Sequence, residues 1–201
     1  TRKEKKTKKD HAMTKKMSVI YIPNSILRQK ARVVSPSEIP SKKIRGLIEN
    51  MKTTLRVTPD GVGLAAPQVG ELLQIFIVSE EAEEIDRTEL KKRKKDEDET
   101  DEKPYAQRDW KYYVFINPMV KKISRKKLSG IEGCLSVPGK FGPVLRQEKI
   151  TVEAYDETGK KNIRGASRFF ARVLQHELDH LTGNLFIDKA EEIFDVDKNR
   201  K

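Results

Sequence analysis

Apolar residues between positions 41 and 55 recur three and four residues apart, which is the spacing of one face of an α-helix. The apolar positions are Ile44, Leu47, Ile48, Met51 and Leu55. Ser41 precedes this stripe and can accept a hydrogen bond from a backbone N–H of the first turn. The pattern therefore predicts a helix that begins at Ser41 and packs its apolar face into a core.

Short runs of β-branched and aromatic residues predict strands at residues 72–78, 112–120 and 149–156. A second helix is expected to start at Ser167 or a neighbouring residue, and Gly183 is placed to end it. At 201 residues the chain has the length of one domain with room for a core.

Three segments are rich in charge and poor in apolar residues. Residues 1–16 carry eight Lys or Arg and are predicted to be a disordered lead-in. Residues 80–111 contain blocks of like charge, which predict a solvated loop inserted in a domain that spans 17–190. Residues 191–201 are expected to be a polar tail. Because the sequence starts with threonine, we expect it to be a fragment or a processed form.

The bulk composition narrows the class of protein. No stretch is apolar enough to cross a membrane. Cys134 is the single cysteine, so an internal disulfide is excluded and a reducing compartment is favoured. The net charge of +11 suits RNA-rich neighbours such as the ribosome. An RNA-binding module is therefore one alternative, although no base-reading motif accompanies the charge.

The most informative motif is the run Gln-His-Glu-Leu-Asp-His at residues 175–180. His176 and His180 lie one helical turn apart and can bind one metal ion. Glu177 lies between them and can exchange a proton with a water on that ion. Asp179 is expected to orient a partner of the ligands. The run indicates a metal-dependent hydrolase, and the alternative is a chance pattern in which the histidines are surface or capping residues.

A hydrolytic metal site needs a third protein ligand and one open position. Cys134, in the run Glu-Gly-Cys-Leu-Ser, is the best candidate, because a thiolate binds iron or zinc well. The alternative is a small buried apolar cysteine.

A third block reads Gly-Val-Gly-Leu-Ala-Ala-Pro-Gln at residues 61–68. Its small residues let a substrate approach, and Gln68 offers an amide donor to a developing oxyanion. An ordinary tight loop is the alternative. A phosphate-binding loop is not indicated, because the Lys-Ser/Thr ending is missing.

The three blocks together resemble those of the peptide deformylase family, in the same order and without a mismatch. The resemblance covers about residues 17–190 and implies an α+β fold, with antiparallel sheets around a central helix that carries the histidines. It implies one Fe²⁺ ion, which Ni²⁺, Co²⁺ or Zn²⁺ can replace. The implied reaction removes the N-formyl group from the initiator methionine of nascent chains and releases formate.

The resemblance also implies roles for individual residues. Cys134, His176 and His180 would hold the ion, and a hydroxide on that ion would attack the formyl carbonyl. Glu177 would act as general base and then as general acid. The side chain of Gln68 and the amide of Leu135 would stabilise the oxyanion.

For the substrate, the resemblance implies that backbone groups of Val62, Gly63 and Gly133 pair with an extended peptide. Val62, Leu135 and Val173 would line a pocket for the methionine side chain. The expected location is the cytoplasm in a bacterium, or a plastid, apicoplast or mitochondrion in a eukaryote, and the charged segments favour an organelle. No membrane partner is expected.

A metallopeptidase with the same helical motif is a second alternative. It would take its third ligand from acidic residues downstream of His180. These are Asp188, Glu191 and Glu192.

The substitution Cys134→Ser separates these two metal-dependent enzymes. A deformylase should lose its metal, because a thiolate ligand is removed, whereas a peptidase with a downstream ligand should keep it. Metal content after gel filtration measures the difference. Unchanged content in the variant would contradict the assignment of Cys134 as a ligand.

Overall fold

The computed structural model of this chain describes residues 14–92 and 111–195, without the side chains of residues 89–92. Its helices are α1 (Lys42–Arg56), α2 (Glu81–Lys92) and α3 (Arg168–His180). Its strands are β1 (Gly63–Ala65), β2 (Ile75–Ser79), β3 (Tyr112–Ile123), β4 (Lys127–Cys134), β5 (Val137–Gln147), β6 (Lys149–Tyr155), β7 (Lys161–Ser167) and β8 (Phe194–Asp195). Short 3₁₀ helices span Ser25–Arg28, Ala66–Val69 and Phe186–Asp188.

The strands form two antiparallel sheets. The larger sheet has the order β1-β2-β3-β6-β7, and the smaller one has the order β4-β5-β8. Helix α3 contacts strands of both sheets and also packs against α2. The predicted α+β fold, with antiparallel sheets around a central helix, is therefore confirmed.

Two apolar clusters cover the two faces of the larger sheet. One cluster joins α3 to the sheet and includes Phe76 and Phe115, whose ring centroids lie 4.6 Å apart. The other joins the apolar stripe of α1 to residues such as Ile75 and Ile77. Helix α1 is confirmed, and Oγ of Ser41 accepts the predicted hydrogen bond from the first turn. No described helix is long and apolar enough to cross a membrane.

Three predicted strands correspond to β2, β3 and β6, with shifted ends. The other strands lack a readable pattern. The sequence of β4 contains two glycines, Gly130 and Gly133, and its apolar Ile131 is exposed on the outer face. The order of apolar and polar residues therefore does not reveal which face of β4 is buried. Strand β1 is only three residues long, and pairing with β2 defines it.

The prediction that residues 80–111 form a loop is wrong for residues 81–92, which form α2. Acidic residues in its first turn suit the positive end of the helix dipole. Ala82 and Asp86, four residues apart, are buried. The backbone N–H of Glu80 donates to the carbonyl of Lys111 at 2.8 Å, so the segment leaves and re-enters the fold at one place. Residues 93–110 lie outside the described residues.

Both ends of the chain also contain ordered parts that composition did not predict. The backbone N–H of Lys15, in the predicted lead-in, donates to Oδ1 of Asn50 on α1 at 2.8 Å. In the predicted polar tail, β8 pairs with β5 through Phe194 and Asp195. Residues 1–13 and 196–201 lie outside the described residues.

The start of α3 is capped from another helix. Ser167 occupies the predicted N-cap position, but its side chain makes no capping hydrogen bond in the described part of the chain. Instead, the carboxylate of Asp86 accepts from the backbone N–H groups of Phe169 and Phe170, both at 3.0 Å. Helix α2 therefore anchors the helix that carries the histidine motif.

We expect Asp86→Ala to lower the free energy of unfolding by about 2 kcal/mol, because the N–H groups of Phe169 and Phe170 lose their acceptor. The matched control is Glu84→Ala on the same helix, which removes the ion pair with Arg87 and should cost about 0.5 kcal/mol or less. Urea denaturation measures both. Equal losses in the two variants would contradict the capping role of Asp86.

Candidate metal centre

Three potential ligands converge where the smaller sheet meets α3. Cys134 is the last residue of β4, and His176 and His180 lie one turn apart on α3. One ligand atom from each residue lies within 4.8 Å of the other two. Sγ of Cys134 is 3.3 Å from Nε2 of His180, and the two imidazole centroids are 4.9 Å apart. The structure thus brings together the three ligands that the sequence predicted.

This donor set fits a catalytic transition-metal ion. One thiolate and two imidazoles suit Fe²⁺ or Zn²⁺, and three protein ligands leave a fourth position for water or substrate. Nδ1 of His176 lies 3.0 Å from Oε2 of Glu132. Because a carboxylate can only accept, Nδ1 carries the proton and Nε2 is left to bind the ion.

The two imidazoles have different electrostatic environments. Burial lowers the pKa of His180 well below its ordinary value and favours the neutral form that binds metal. Burial also acts to lower the pKa of His176. Hydrogen bonds with Cys134 and Glu132 outweigh that effect and raise the pKa of His176 well above its ordinary value. Nδ1 of His180 is buried without a hydrogen-bond partner among the described residues.

The carboxylate of Glu132 accepts hydrogen bonds from arginines on two elements, β5 and α3. Nε and Nη2 of Arg146 donate to its two oxygens at 2.8 and 2.9 Å, and Nη1 of Arg172 donates at 3.0 Å. Burial alone would raise the pKa of Glu132, but the hydrogen bonds from Arg146 and His176 prevail and lower it to about 2. Glu132 is therefore a buried anion that fixes the ring of His176.

Asp179 extends this network in the way expected for a residue that orients a partner. Its Oδ2 accepts from Nη1 of Arg146 at 2.6 Å, and its Oδ1 accepts from Lys189 at 2.6 Å. Acidic and basic side chains alternate from Lys189 through Asp179 and Arg146 to Glu132, so each charge in this network has an opposite partner.

The carboxylate of Glu177 has an oxygen that can accept a further hydrogen bond or a proton. The residue is 3% exposed, and its Oε2 has no hydrogen-bond partner among the described residues. Burial, opposed by His176 and reinforced by Glu132, raises the pKa of Glu177 to about 7. A carboxylate with a pKa near neutrality is suited to proton transfer in both directions.

The amide of Gln68 has a fixed orientation. Its Oε1 accepts from the backbone N–H of Ala65 at 2.8 Å. Its Nε2 therefore faces the site and donates to Oγ of Ser136 at 3.2 Å and to Sγ of Cys134 at 3.5 Å. A buried N–H donor beside the ligands is suited to stabilising a developing negative charge.

Strand β1 is an edge of the larger sheet, and Glu177 lies against the face of this strand at Gly63. The carbonyl of Val62 accepts from the N–H of Ser79 at 2.8 Å and is thus directed toward β2. Because backbone groups alternate in direction along a strand, those of Gly63 point to the open edge. A Cβ added to Gly63 would lie 2.9 Å from Cδ of Glu177, so only glycine leaves room for this carboxylate.

The other predicted substrate residues lie around the centre, and their roles stay predictions. Val62 packs on the apolar cluster that contains the buried Val173, whereas Leu135 packs on the α1 cluster. Gly133 faces Phe141, because a Cβ there would lie 2.6 Å from Cε1 of the Phe141 ring.

Sequence reasoning gave no role to Glu132, Arg146 or Arg172. One signal was available for Arg172, which precedes His176 by four residues and so continues the stripe formed by His176 and His180. No signal was available for Arg146, because β5 was not predicted.

A family model described as polypeptide deformylase matches residues 16–194. The chain belongs to this family. A relative named peptide deformylase 1A, chloroplastic/mitochondrial, from Arabidopsis thaliana is 40% identical over 85% of this chain and 60% of its own length. A peptide deformylase from Borreliella burgdorferi is 35% identical over 88% of each chain. The chain spans about 60 to 66% of the length of the first relatives that it matches.

Solved deformylase structures share the fold. A Synechococcus elongatus peptide deformylase in complex with actinonin has a TM-score of 0.67 and 31% identity, with 88% of this chain and 79% of that chain covered. A Met-Ala-Ser-bound class I type b peptide deformylase from Acinetobacter baumannii has a TM-score of 0.70 and 30% identity, with 88% and 99% covered. The resemblance seen in the three sequence blocks is therefore confirmed.

Proposed function

We propose that this chain is a metal-dependent hydrolase that removes the N-formyl group from the initiator methionine of newly synthesised proteins and releases formate. The observation that carries the proposal is the convergence of Cys134, His176 and His180 beside Glu177, in a chain of the deformylase family. Related deformylases have been solved in complex with actinonin and bound to Met-Ala-Ser, which supports a peptide-like ligand for this chain.

Cys134, His176 and His180 would hold one divalent ion, with Fe²⁺ expected and Ni²⁺, Co²⁺ or Zn²⁺ able to replace it. When bound there, the ion lowers the pKa of a coordinated water toward neutrality. Glu132 keeps Nδ1 of His176 protonated, so that Nε2 faces the ion.

Glu177 moves the proton in both steps. It takes a proton from the attacking water while the water oxygen bonds to the formyl carbon and the carbonyl electron pair moves onto oxygen. When the C–N bond breaks, Glu177 returns that proton to the leaving amine, which frees the methionine amine. The formic acid released then loses its own proton to solvent and becomes formate. The raised pKa of Glu177 suits both roles.

Gln68 and Leu135 stabilise the negative charge that forms on the carbonyl oxygen. Nε2 of Gln68 already faces Cys134, and the backbone N–H of Leu135 follows Cys134 directly in the chain. Preformed donors of this kind lower the barrier because they need not reorganise during the reaction.

The peptide part of the substrate would add to the open edge of β1 through the backbone of Gly63, with Gly133 on the opposite side. The predicted backbone pairing of Val62 with the peptide is not retained, because the carbonyl of Val62 already accepts from the N–H of Ser79 on β2. Its side chain would contribute instead. With Leu135 and Val173, it would surround the methionine side chain.

The chloroplastic/mitochondrial relative from Arabidopsis and the chloroplastic relative from tomato support a plastid or mitochondrion as the location in a eukaryote. The relative from the bacterium Borreliella burgdorferi fits the cytoplasm as the location in a bacterium. The basic surface would favour work close to the ribosome. The metallopeptidase alternative lacks its third ligand among the described residues, because the group of ligand atoms around His176 and His180 contains Cys134 and none of Asp188, Glu191 and Glu192.

Formate release from formyl-Met-Ala-Ser tests the proposed function directly. The protein is prepared without oxygen and checked for bound metal, and unformylated Met-Ala-Ser is the control substrate. We expect metal-dependent release of formate with the peptide bonds intact. Cleavage of peptide bonds would favour a peptidase, and no release from a folded, metal-loaded sample would overturn the proposal.

We expect Glu177→Ala to lower kcat by about 10²- to 10⁴-fold, because the proton-transfer group is lost. Metal content should match that of the parent protein, since Glu177 is not one of the three ligands. Steady-state kinetics and metal analysis on the same sample test both statements. Full activity in the variant would contradict the mechanism.

We expect Gly63→Ala to lower kcat/KM by about 100-fold, because the new methyl group displaces the Glu177 carboxylate from its position. Gly46→Ala is the matched control, since a Cβ on that α1 residue meets no atom within 4 Å. The control should keep full activity. If both variants stay fully active, Gly63 does not set the position of Glu177.

A further inference from the structure

Arg172 occupies an unusual position for a charged side chain. It lies one helical turn before His176 on α3 and is 8% exposed. Its guanidinium donates to Oε1 of Glu132 and also to three backbone carbonyls. These are the carbonyls of Leu128 (2.9 Å), Gly130 (2.9 Å) and Val144 (2.7 Å).

These acceptors join two parts of the metal centre. The three carbonyls belong to the β4–β5 hairpin, and β4 ends at Cys134. Glu132, also on β4, fixes Nδ1 of His176 through its other oxygen. One guanidinium on the histidine-bearing helix therefore holds the cysteine-bearing strand.

A second clamp lies on the other side of His176. Arg146 on β5 reaches α3 through Asp179 at 2.6 Å. His176 is thus flanked along α3 by Arg172 on one side and by Asp179 on the other. Both clamps therefore join the β4–β5 hairpin to the same helix.

We propose that Arg172 is a positioning residue of the metal centre, which holds β4 against α3 so that Cys134 meets His176 and His180. The inference rests on the metal-binding part of the proposed function. Nη1 donates to Glu132 and to the carbonyls of Gly130 and Val144, whereas Nη2 donates to the carbonyl of Leu128, so the planar fork contacts β4 and β5 through two nitrogens. A lysine ammonium has three N–H groups on one nitrogen and would leave at least one of these four acceptors without a donor.

Gly130→Ala tests the proposal without removing any charge. A Cβ on Gly130 would lie 2.7 Å from Nη2 and 2.9 Å from Cζ of Arg172, so the methyl group would displace the guanidinium from its acceptors. Gly165→Ala is the matched control, because a Cβ on that β7 residue meets no atom within 4 Å.

The readout is the Co²⁺ dissociation constant, measured by chelator competition, together with the visible spectrum of bound Co²⁺, which reports ligand geometry. We expect Gly130→Ala to weaken Co²⁺ binding by about 10-fold and to change the spectrum, as is typical when residues behind metal ligands are disturbed. Gly165→Ala should match the parent chain in both.

Arg172→Met and Arg172→Lys provide a second series. We expect Arg172→Met to weaken Co²⁺ binding by about 10- to 100-fold and Arg172→Lys to recover part of that loss. Arg164→Met is the control for loss of a partly buried arginine, since Arg164 stacks on Tyr113 and pairs with Glu83 away from the ligands. Urea denaturation of each variant separates general destabilisation from a change at the metal centre.

The outcomes are distinguishable. Co²⁺ affinities and spectra equal to those of the parent in folded Gly130→Ala and Arg172→Met would overturn the role of Arg172 alone. If Arg172→Met does not fold, Gly130→Ala decides the question. If the parent chain itself binds no Co²⁺, the proposed function fails first, and this inference fails with it.

Discussion

The metal centre depends on one buried carboxylate, that of Glu132. It is 5% exposed, and it accepts hydrogen bonds from two guanidinium groups and one imidazole. A carboxylate buried without hydrogen-bond donors would be strongly unfavourable, so Glu132 can be buried only because these donors surround it. Because those donors come from both α3 and β5, the packing of the helix on the smaller sheet is fixed by the need to satisfy Glu132.

This arrangement gives orientation more than stability. A buried ion network gains little over a well-packed apolar core of the same volume, because desolvation offsets most of the attraction. What it gives here is a defined imidazole tautomer and a fixed ring plane for His176. The apolar clusters on the two faces of the larger sheet supply the cohesion that the charged network does not.

Sequence reasoning reached the features that depend on local spacing. The histidine pair follows from helical periodicity, and α1 follows from its apolar stripe and from Ser41. It did not reach features that depend on residues far apart in the chain. Asp86 lies 83 residues from Phe169, whose N–H it caps, and Glu132 gains its role from Arg146 and Arg172 only after the sheet and α3 have met. The prediction of a loop was also wrong for α2, because the many charged residues of this tract obscure its two buried positions, Ala82 and Asp86.

The paired ends of the charged tract give the fold a modular boundary. The backbone N–H of Glu80 donates to the carbonyl of Lys111, so the two ends of the tract are held together beside the larger sheet. A pair of chain ends fixed in this way tolerates a change in the length of the chain between them without a change in strand order. The first turns of α2 are more constrained, because Ala82 is buried in the core on the larger sheet and Asp86 caps the helix that carries His176 and His180. Insertions are therefore better tolerated beyond the first turns of α2 than within them.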